Sequence, residues 1–250
     1  MWNAFVELLV NALQLLSTGI GGLGVSYSFG FAIILFTVIV RLLTFPLNWQ
    51  QIKSSAKMQA LQPKLEALQK KYRKDKEKLA QEQMKLYREG GINPLGGCLP
   101  MLIQFPVWIG LYQALYRLAD RQLLGAFLWM RDLGFPPQGA SISWIANPPD
   151  GMSWLEVAGY LILPVLTVVT QIIVQKMTTV SSSDPQQSAM SQAMMIMPLM
   201  FGFFAVQVPA GLVLYWVTSN LLQLIQQYLA RSYGTATLAQ GGEGHADKKA

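Results

Sequence analysis

The sequence predicts an all-α membrane protein in which five transmembrane helices enclose a hydrophilic groove open to the cytoplasm. Hydrophobic residues make up 52% of the 250 positions and charged residues only 13%. Several apolar runs approach the roughly 20 residues that a helix needs to cross a bilayer. Basic residues concentrate between two of these runs, from Lys53 to Arg88, as is typical of a cytoplasmic segment.

The N-terminal segment, residues 1–24, is predicted to form an amphipathic helix at the extracytoplasmic interface of the membrane. Its polar residues recur every three or four positions and so share one helix face: Asn3, Glu7, Asn11, Gln14 and Thr18. A sixth span would place Glu7 in lipid, which favours the interfacial position. The glycine-rich stretch from Gly19 to Gly24 is expected to end this helix.

Five apolar runs then define a core over residues 25–230. By length, the spans lie at about 29–47, 99–117, 157–175, 192–207 and 211–230. An odd number of spans places the termini on opposite sides, and the basic block places residues 48–98 in the cytoplasm. We therefore expect the N-terminus outside and the C-terminus inside. The Gly- and Ala-rich tail, residues 231–250, is expected to be disordered.

The cytoplasmic block, residues 50–90, has the composition of an antiparallel helical hairpin. Apolar residues recur at steps of four, three and four in its first half: Leu61, Leu65, Leu68 and Tyr72. A break is predicted near residues 74–76. The pattern leaves open whether residues 53–89 are a solvated connector or an arm that docks a partner. The positive-inside rule accounts for the charge, so no specific nucleic acid partner is expected.

The spans carry no pattern typical of an enzyme. They contain no histidine, no cysteine pair, no facing carboxylates and no phosphate-binding glycine loop. His245 lies in the tail, and Cys98, the only cysteine of the sequence, cannot form an internal disulfide. We therefore expect no catalytic residue, no cofactor and no bound metal.

Polar side chains form stripes along several spans. The stripes are Thr37, Arg41, Thr44 and Asn48 in span one, Gln104, Trp108 and Tyr112 in span two, Thr167, Gln171 and Gln175 in span three, and Trp216, Asn220, Gln223 and Gln227 in span five. One polar residue in a span is typical of a helix–helix hydrogen bond. In-phase stripes on several spans instead predict a shared hydrated groove that opens on the cytoplasmic side. The stripes leave open whether the groove is closed on the outside.

Arg41 decides how this groove is interpreted. A charge inside a span costs about 2.5–3.5 kcal/mol, and Glu156, at the outer end of span three, is the only acid near the five spans. The guanidinium either snorkels about 9 Å to the inner end of its span or attracts an anionic guest in the groove. Because no acid is available for ion or proton coupling, the preferred guest is a polypeptide with an acidic flank.

Four separated motifs distinguish this sequence from a generic membrane protein. They are Val40-Arg41-Leu42 with Phe45-Pro46-Leu47; Asn93-Pro94-Leu95-Gly96-Gly97-Cys98-Leu99-Pro100 with Gln104-Phe105-Pro106; Asp184-Pro185-Gln186-Gln187; and Pro209-Ala210-Gly211-Leu212 with Leu214-Tyr215-Trp216. In order and spacing they resemble the YidC/Oxa/Alb family of membrane protein insertases. The resemblance implies an insertase and chaperone that places nascent membrane proteins into the bilayer, independently of the Sec translocon or together with it.

The resemblance also implies roles for individual residues. Arg41 matches the family's groove arginine, while Thr37 and Trp216 match positions that contact the incoming segment. Gln104, Gln171 and Asn220 are further substrate-binding candidates on the polar-face argument alone. Expected partners are nascent membrane proteins, the lipid bilayer, the ribosome, the signal recognition particle pathway and the Sec translocon.

The sequence also indicates the type of membrane and leaves two competing functions open. No basic leader or Arg- and Ser-rich transit sequence is recognisable, which favours a bacterial plasma (inner) membrane. A small transporter or channel and a purely structural membrane scaffold remain competing interpretations. The first should have coupling acids in its spans, and the second should tolerate loss of the Arg41 charge.

Overall fold

The computed structural model describes residues 1–91, 99–178 and 196–243. Within these ranges the α-helices are α1 (Trp2–Gly22), α2 (Ser28–Leu43), α3 (Phe45–Lys71), α4 (Lys76–Glu89), α5 (Leu99–Asp120), α6 (Trp154–Thr178), α7 (Ile196–Ala205) and α8 (Ala210–Glu243). The loop between α5 and α6 contains a short 3-10 helix, Ile142–Ile145, and an isolated β-bridge between Phe127 and Met130. The predicted class, an all-α membrane protein, is confirmed at this level.

Five of the helices, α2, α5, α6, α7 and α8, run between two ends of a bundle. At one end, here called the loop end, residues 121–153 lie against helix termini. The Phe127 ring packs edge-on against Phe31 near the start of α2, with ring centroids 5.5 Å apart. The backbone N–H of Gly211 at the start of α8 donates to Leu133 O at 2.9 Å. The opposite end, from which α3 and α4 continue, is called the hairpin end.

Helix α1 packs against α2 and α5, and its contacts extend from Gly110 in the middle of α5 to the loop end. Arg117 Nη1, near the end of α5, donates to Glu7 Oε1 at 2.6 Å, while Ser17 Oγ lies 2.9 Å from the Oγ of Ser28, the first residue of α2. Helix α1 ends at Gly22, within the glycine-rich stretch Gly19 to Gly24 that was expected to end it. Glycine lowers helix propensity by about 1 kcal/mol per residue, which favours a helix end here.

The predicted first span, residues 29–47, is not one straight helix in the structure. Helix α2 stops at Leu43, and the chain bends by 64° into α3. Pro46 explains the bend, because it has no N–H for the carbonyl of Leu42 and its ring clashes with that carbonyl. The first helix of the basic hairpin therefore begins at Phe45. The sequence pattern had placed its start at residue 50.

The helical hairpin has its break where the composition predicted one. Helix α3 ends at Lys71 and α4 begins at Lys76. Asp75 precedes α4, and its Oδ1 accepts a hydrogen bond from the backbone N–H of Lys78 at 3.0 Å. This is a standard N-cap, which satisfies one of the free donors of the first turn. The two helices line one cavity, with Lys64, Leu68 and Lys71 from α3 and Glu82, Leu86 and Glu89 from α4.

Buried side chains differ in character along the bundle. Near the loop end most of them are apolar, such as Leu13, Ile33, Leu115, Leu133 and Leu212, although Ser17 is also buried there. From the middle of the bundle toward the hairpin end, buried polar residues are more frequent: Thr37, Asn48, Thr167, Thr170, Ser219, Asn220 and Gln227. Most of the buried polar side chains described therefore lie in the hairpin half.

The outer faces of the bundle are apolar and suit contact with lipid. On α2, Phe31, Leu35 and Ile39 follow at steps of four and are all exposed. By length and hydropathy, α1 and α6 could each cross a membrane, and the bent pair α2 and α3 could count as a third span in the described chain. Helix α8 continues to Glu243, beyond the predicted end of span five at 230 and into the segment expected to be disordered.

Candidate functional site

The centre of the candidate site is Arg41, in the last turn of α2 and about 3 Å of helix rise before the bend. Its Nε and Nη2 atoms donate to Ser219 Oγ on α8 at 2.9 and 2.6 Å, and Nη2 also donates to Gln223 Oε1 at 3.2 Å. The guanidinium is thus directed across the bundle to a neighbouring helix. A snorkelling arginine would instead extend along its own helix toward the interface.

No carboxylate neutralises Arg41 within the residues that the structure describes. The ion pairs found there join Arg117 and Arg121 to Glu7, and Arg131 to Glu156, all at the loop end. The Nη1 group of Arg41 has no hydrogen-bond acceptor in the same part of the chain. A cation held only by neutral acceptors keeps its full charge for an anion that comes within reach.

Tyr215 connects this arginine to α5. Gln104 Nε2 donates a hydrogen bond to the Tyr215 hydroxyl, and the same hydroxyl interacts with Ser219, one turn along α8. Tyr215 is only 2% exposed. Two of the predicted site residues, Arg41 and Gln104, therefore belong to one hydrogen-bonded network.

Asn220 faces the other neighbour of α8. Its Nδ2 donates to Thr170 Oγ1 on α6 at 3.1 Å, and both side chains are buried. The Thr170 hydroxyl donates in turn to the backbone carbonyl of Leu166 at 2.7 Å. Gln171, the residue of α6 that the polar stripe selected, is half-buried and makes no hydrogen bond to α8 within the described ranges. The residue of α6 that bonds to Asn220 on α8 is thus Thr170 and not Gln171.

Thr37 and Trp216, the two positions implied to contact an incoming segment, are shielded in this structure. Thr37 is fully buried, and its hydroxyl donates to Ile33 O of its own helix at 2.7 Å. The Trp216 ring is 8% exposed and lies between Trp108 on α5 and Phe201 on α7, with centroid distances of 5.8 and 5.5 Å. A guest would reach either side chain only after neighbouring side chains had moved.

Three residues that make hydrogen bonds between helices at the site carried too little signal to be predicted from the sequence. They are Ser219, Tyr215 and Thr170. Each lies beside a stripe residue, and Ser219 is also three positions after Trp216, a spacing that places both on neighbouring parts of one face. Single hydroxyl residues in apolar helices carry little sequence signal, because they often bond to their own backbone, as Thr37 does.

Some predicted motif residues lie outside the described residues. These are the stretch Asn93 to Cys98 and the segment Asp184-Pro185-Gln186-Gln187.

The described groups of the site are one cation, several hydroxyls and carboxamides. Such groups bind a polar or anionic segment by hydrogen bonds and charge.

Comparisons with known proteins place the chain among membrane proteins of one family. A family model described as "60Kd inner membrane protein" matches residues 22–236. The chain is 43% identical over 235 residues to the inner membrane protein PPF-1, chloroplastic, of Pisum sativum. It is 40% identical over 247 residues to the inner membrane protein ALBINO3, chloroplastic, of Arabidopsis thaliana. Over 206 residues it is 41% identical to the membrane protein insertase YidC of Syntrophobacter fumaroxidans.

These matches cover most of the chain but only part of each relative. They include 90% of the chain against 53% of the pea protein, 94% against 54% of the Arabidopsis protein, and 81% against 34% of the bacterial protein. The chain therefore spans about half the length of the chloroplast relatives that it matches.

Proposed function

The chain belongs to the 60Kd inner membrane protein family, which includes the YidC and Alb3 proteins, and from that premise we propose that it is a membrane protein insertase. The resemblance read from the four motifs is confirmed by a family match over residues 22–236. Among the relatives, the proteins of Syntrophobacter fumaroxidans and Haemophilus influenzae bear the name membrane protein insertase YidC.

The observation that carries this proposal is the uncompensated charge of Arg41 in the polar half of the bundle. A client polypeptide enters from the hairpin end, and its polar or acidic segment pairs with the free Nη1 side of the guanidinium. Ser219 and Gln223 hold the cation in place while the client is bound. The apolar segment of the client then moves into lipid past α2 and α8.

The energy for this movement comes from the client and the membrane. Each buried CH₂ group of the client contributes about 0.8 kcal/mol. An acidic flank moving across the membrane potential contributes about 2.3 kcal/mol per charge for every 100 mV. The role of the protein is to lower the cost of bringing a polar segment into an apolar layer, and no nucleotide hydrolysis is required.

We further propose that α2, α5, α6, α7 and α8 are the five spans and that the loop end faces outward. The loop of residues 121–153 contacts the start of α2 and the start of α8, as described above. Two more contacts place a terminus of α6 and a terminus of α7 beside the same loop. Arg131 pairs with Glu156 at the start of α6, and Trp144 Nε1 donates to Val206 O just after α7 at 3.0 Å. Helix α1, which touches the outer ends of both α2 and α5, would then lie in the interface.

The setting follows from the same premise. The basic hairpin of α3 and α4 would face the cytoplasm or the chloroplast stroma, where it could meet the ribosome, the signal recognition particle pathway or the Sec translocon. The sequence favoured a bacterial plasma membrane, while the relatives at 43% and 40% identity are chloroplastic. We propose an inner membrane of either kind as the place of action.

Reconstitution tests the proposal. Purified chain in liposomes should protect the translocated segment of an in vitro synthesised single-span client from added protease, and empty liposomes should not. A transporter would instead release a trapped solute without protecting the client, and a scaffold would do neither. Either of these results would contradict the insertase function.

A further inference from the structure

Gln227 is a buried glutamine with no partner for either end of its carboxamide. It is 3% exposed, and neither Nε2 nor Oε1 has a hydrogen-bond partner within the described chain. The other amides of the same α8 face are occupied, because Asn220 donates to Thr170 and Gln223 accepts from Arg41. The carbonyl of the adjacent Gln226 is also unpartnered, but Gln227 is the side chain among those described whose buried donor and acceptor both lack a partner.

The position of Gln227 relates it to the path of a client. It follows Gln223 by four residues and so lies one turn, about 6 Å, nearer the hairpin end than the Arg41 contact. Here α3 and α6 also meet, since Gln59 Nε2 donates to Met177 O at 3.0 Å. A segment arriving from the hairpin end would reach the level of Gln227 before that of the guanidinium. Because Gln227 is 3% exposed, its carboxamide becomes accessible only when neighbouring side chains move, as for Trp216.

The chemistry of the free carboxamide defines what it can bind. It offers an NH₂ group with two N–H donors and a carbonyl acceptor beside it, without charge. A peptide group presents the matching acceptor and donor. In an extended segment entering an apolar layer these backbone groups are unpaired, and each must find a partner. A carboxylate or a phosphate would match the donor and leave the acceptor unsatisfied.

Resting on the insertase function, we propose that Gln227 binds the backbone of the incoming polypeptide before its flank reaches Arg41. This contact recognises peptide groups and is indifferent to side chains and charge. Gln227 and Arg41 then act in sequence on different parts of the same client. Loss of Gln227 should therefore impair clients with acidic and with neutral flanks to the same degree.

Gln227→Met tests the proposal, because methionine has a similar length and volume and lacks both hydrogen-bonding groups. Insertion is measured by protease protection in liposomes, with one client carrying an acidic flank and a matched client carrying its amide counterpart. Gln207→Met is the control, since the amide of Gln207 already donates to Phe203 O at 2.9 Å in the turn after α7. Thermal unfolding of each variant in detergent reports its stability.

The expected result is an insertion rate about tenfold lower for both clients, with an unchanged or raised melting temperature. In a Cys98→Ser background, and with copper phenanthroline added as the oxidant, Gln227→Cys should also form a disulfide with a single cysteine placed in the client segment that inserts. Unchanged insertion would mean that only water fills the site, and would overturn the proposal. So would a loss confined to the acidic client, a lowered melting temperature, an equal loss in the control, or no crosslink. Failure of the unaltered protein to insert either client would instead overturn the insertase function.

Discussion

Replacing Arg41 by alanine should slow insertion of clients with acidic flanks far more than insertion of neutral ones. The guanidinium is half-buried, bonded to the neutral acceptors Ser219 and Gln223, and without a carboxylate in the described chain. A charge pair about 4 Å apart contributes about 1 kcal/mol in bulk water and about 4 kcal/mol at an effective dielectric constant near 20. The site lies between these limits, so the acidic client should insert between about fivefold and several hundredfold more slowly.

The assay compares two clients that differ only in having aspartate or asparagine in the translocated flank. Protease protection is followed over time in liposomes containing the original protein, Arg41→Ala or Arg41→Lys. Lysine keeps the charge but lacks the planar fork that contacts Ser219 and Gln223 together, so its rate should lie between the other two. Arg131→Ala is the matched control, because that arginine pairs with Glu156 at the loop end.

Salt provides an independent measurement of the same interaction. The screening length falls from about 8 Å at 0.15 M to about 3 Å at 1 M. Added salt should therefore slow the original protein with the acidic client and leave Arg41→Ala almost unaffected. Equal rates for the original and alanine proteins with the acidic client would refute the reasoning, as would an equal loss for both clients.

Other predictions concern the packing that positions the site. In a double-mutant cycle, Asn220→Ala and Thr170→Val should show a coupling energy of about 0.6 kcal/mol, and not above about 1.7 kcal/mol, because they remove one interhelical hydrogen bond. Unfolding of the variants in mixed micelles measures this coupling energy. Strictly additive losses of stability would argue against the bond. Gly30→Ala should lower the free energy of unfolding by about 1–3 kcal/mol, since the new Cβ would lie 1.9 Å from the Phe127 ring. Gly125→Ala, where no atom lies within 4 Å of the added Cβ, is its control, and equal effects would contradict the steric explanation.

The contacts of α6 show why the sequence could select a stripe but not a partner. Thr167 and Gln171 lie on one face by spacing, yet Thr170 makes the bond to α8. A shift of one residue rotates a helix position by about 100°. Periodicity defines a face relative to the helix itself, and only packing against α8 sets the direction in which that face points.

The bend after α2 shows a similar limit. Pro46 is visible in the sequence, but an apolar run from 29 to 47 has the same hydropathy whether it is straight or bent. The structure ends α2 at Leu43, which moves Arg41 closer to the end of its helix than the predicted 9 Å. Its side chain then reaches Ser219, a residue that carried no distinguishing pattern.

The sequence by itself determined the helical membrane class, the break in the hairpin, the family and the choice of Arg41 as the residue to explain. These features depend on composition, local periodicity and motifs, all of which are encoded within short stretches of chain. Tertiary structure alone decided that Ser219, Gln223, Tyr215 and Gln104 surround the arginine region and that Gln227 is left without a partner. The contacts with Ser219, Gln223 and Tyr215 join residues 111 to 182 positions apart in the chain. They depend on how the helices rotate against one another, which no local pattern specifies.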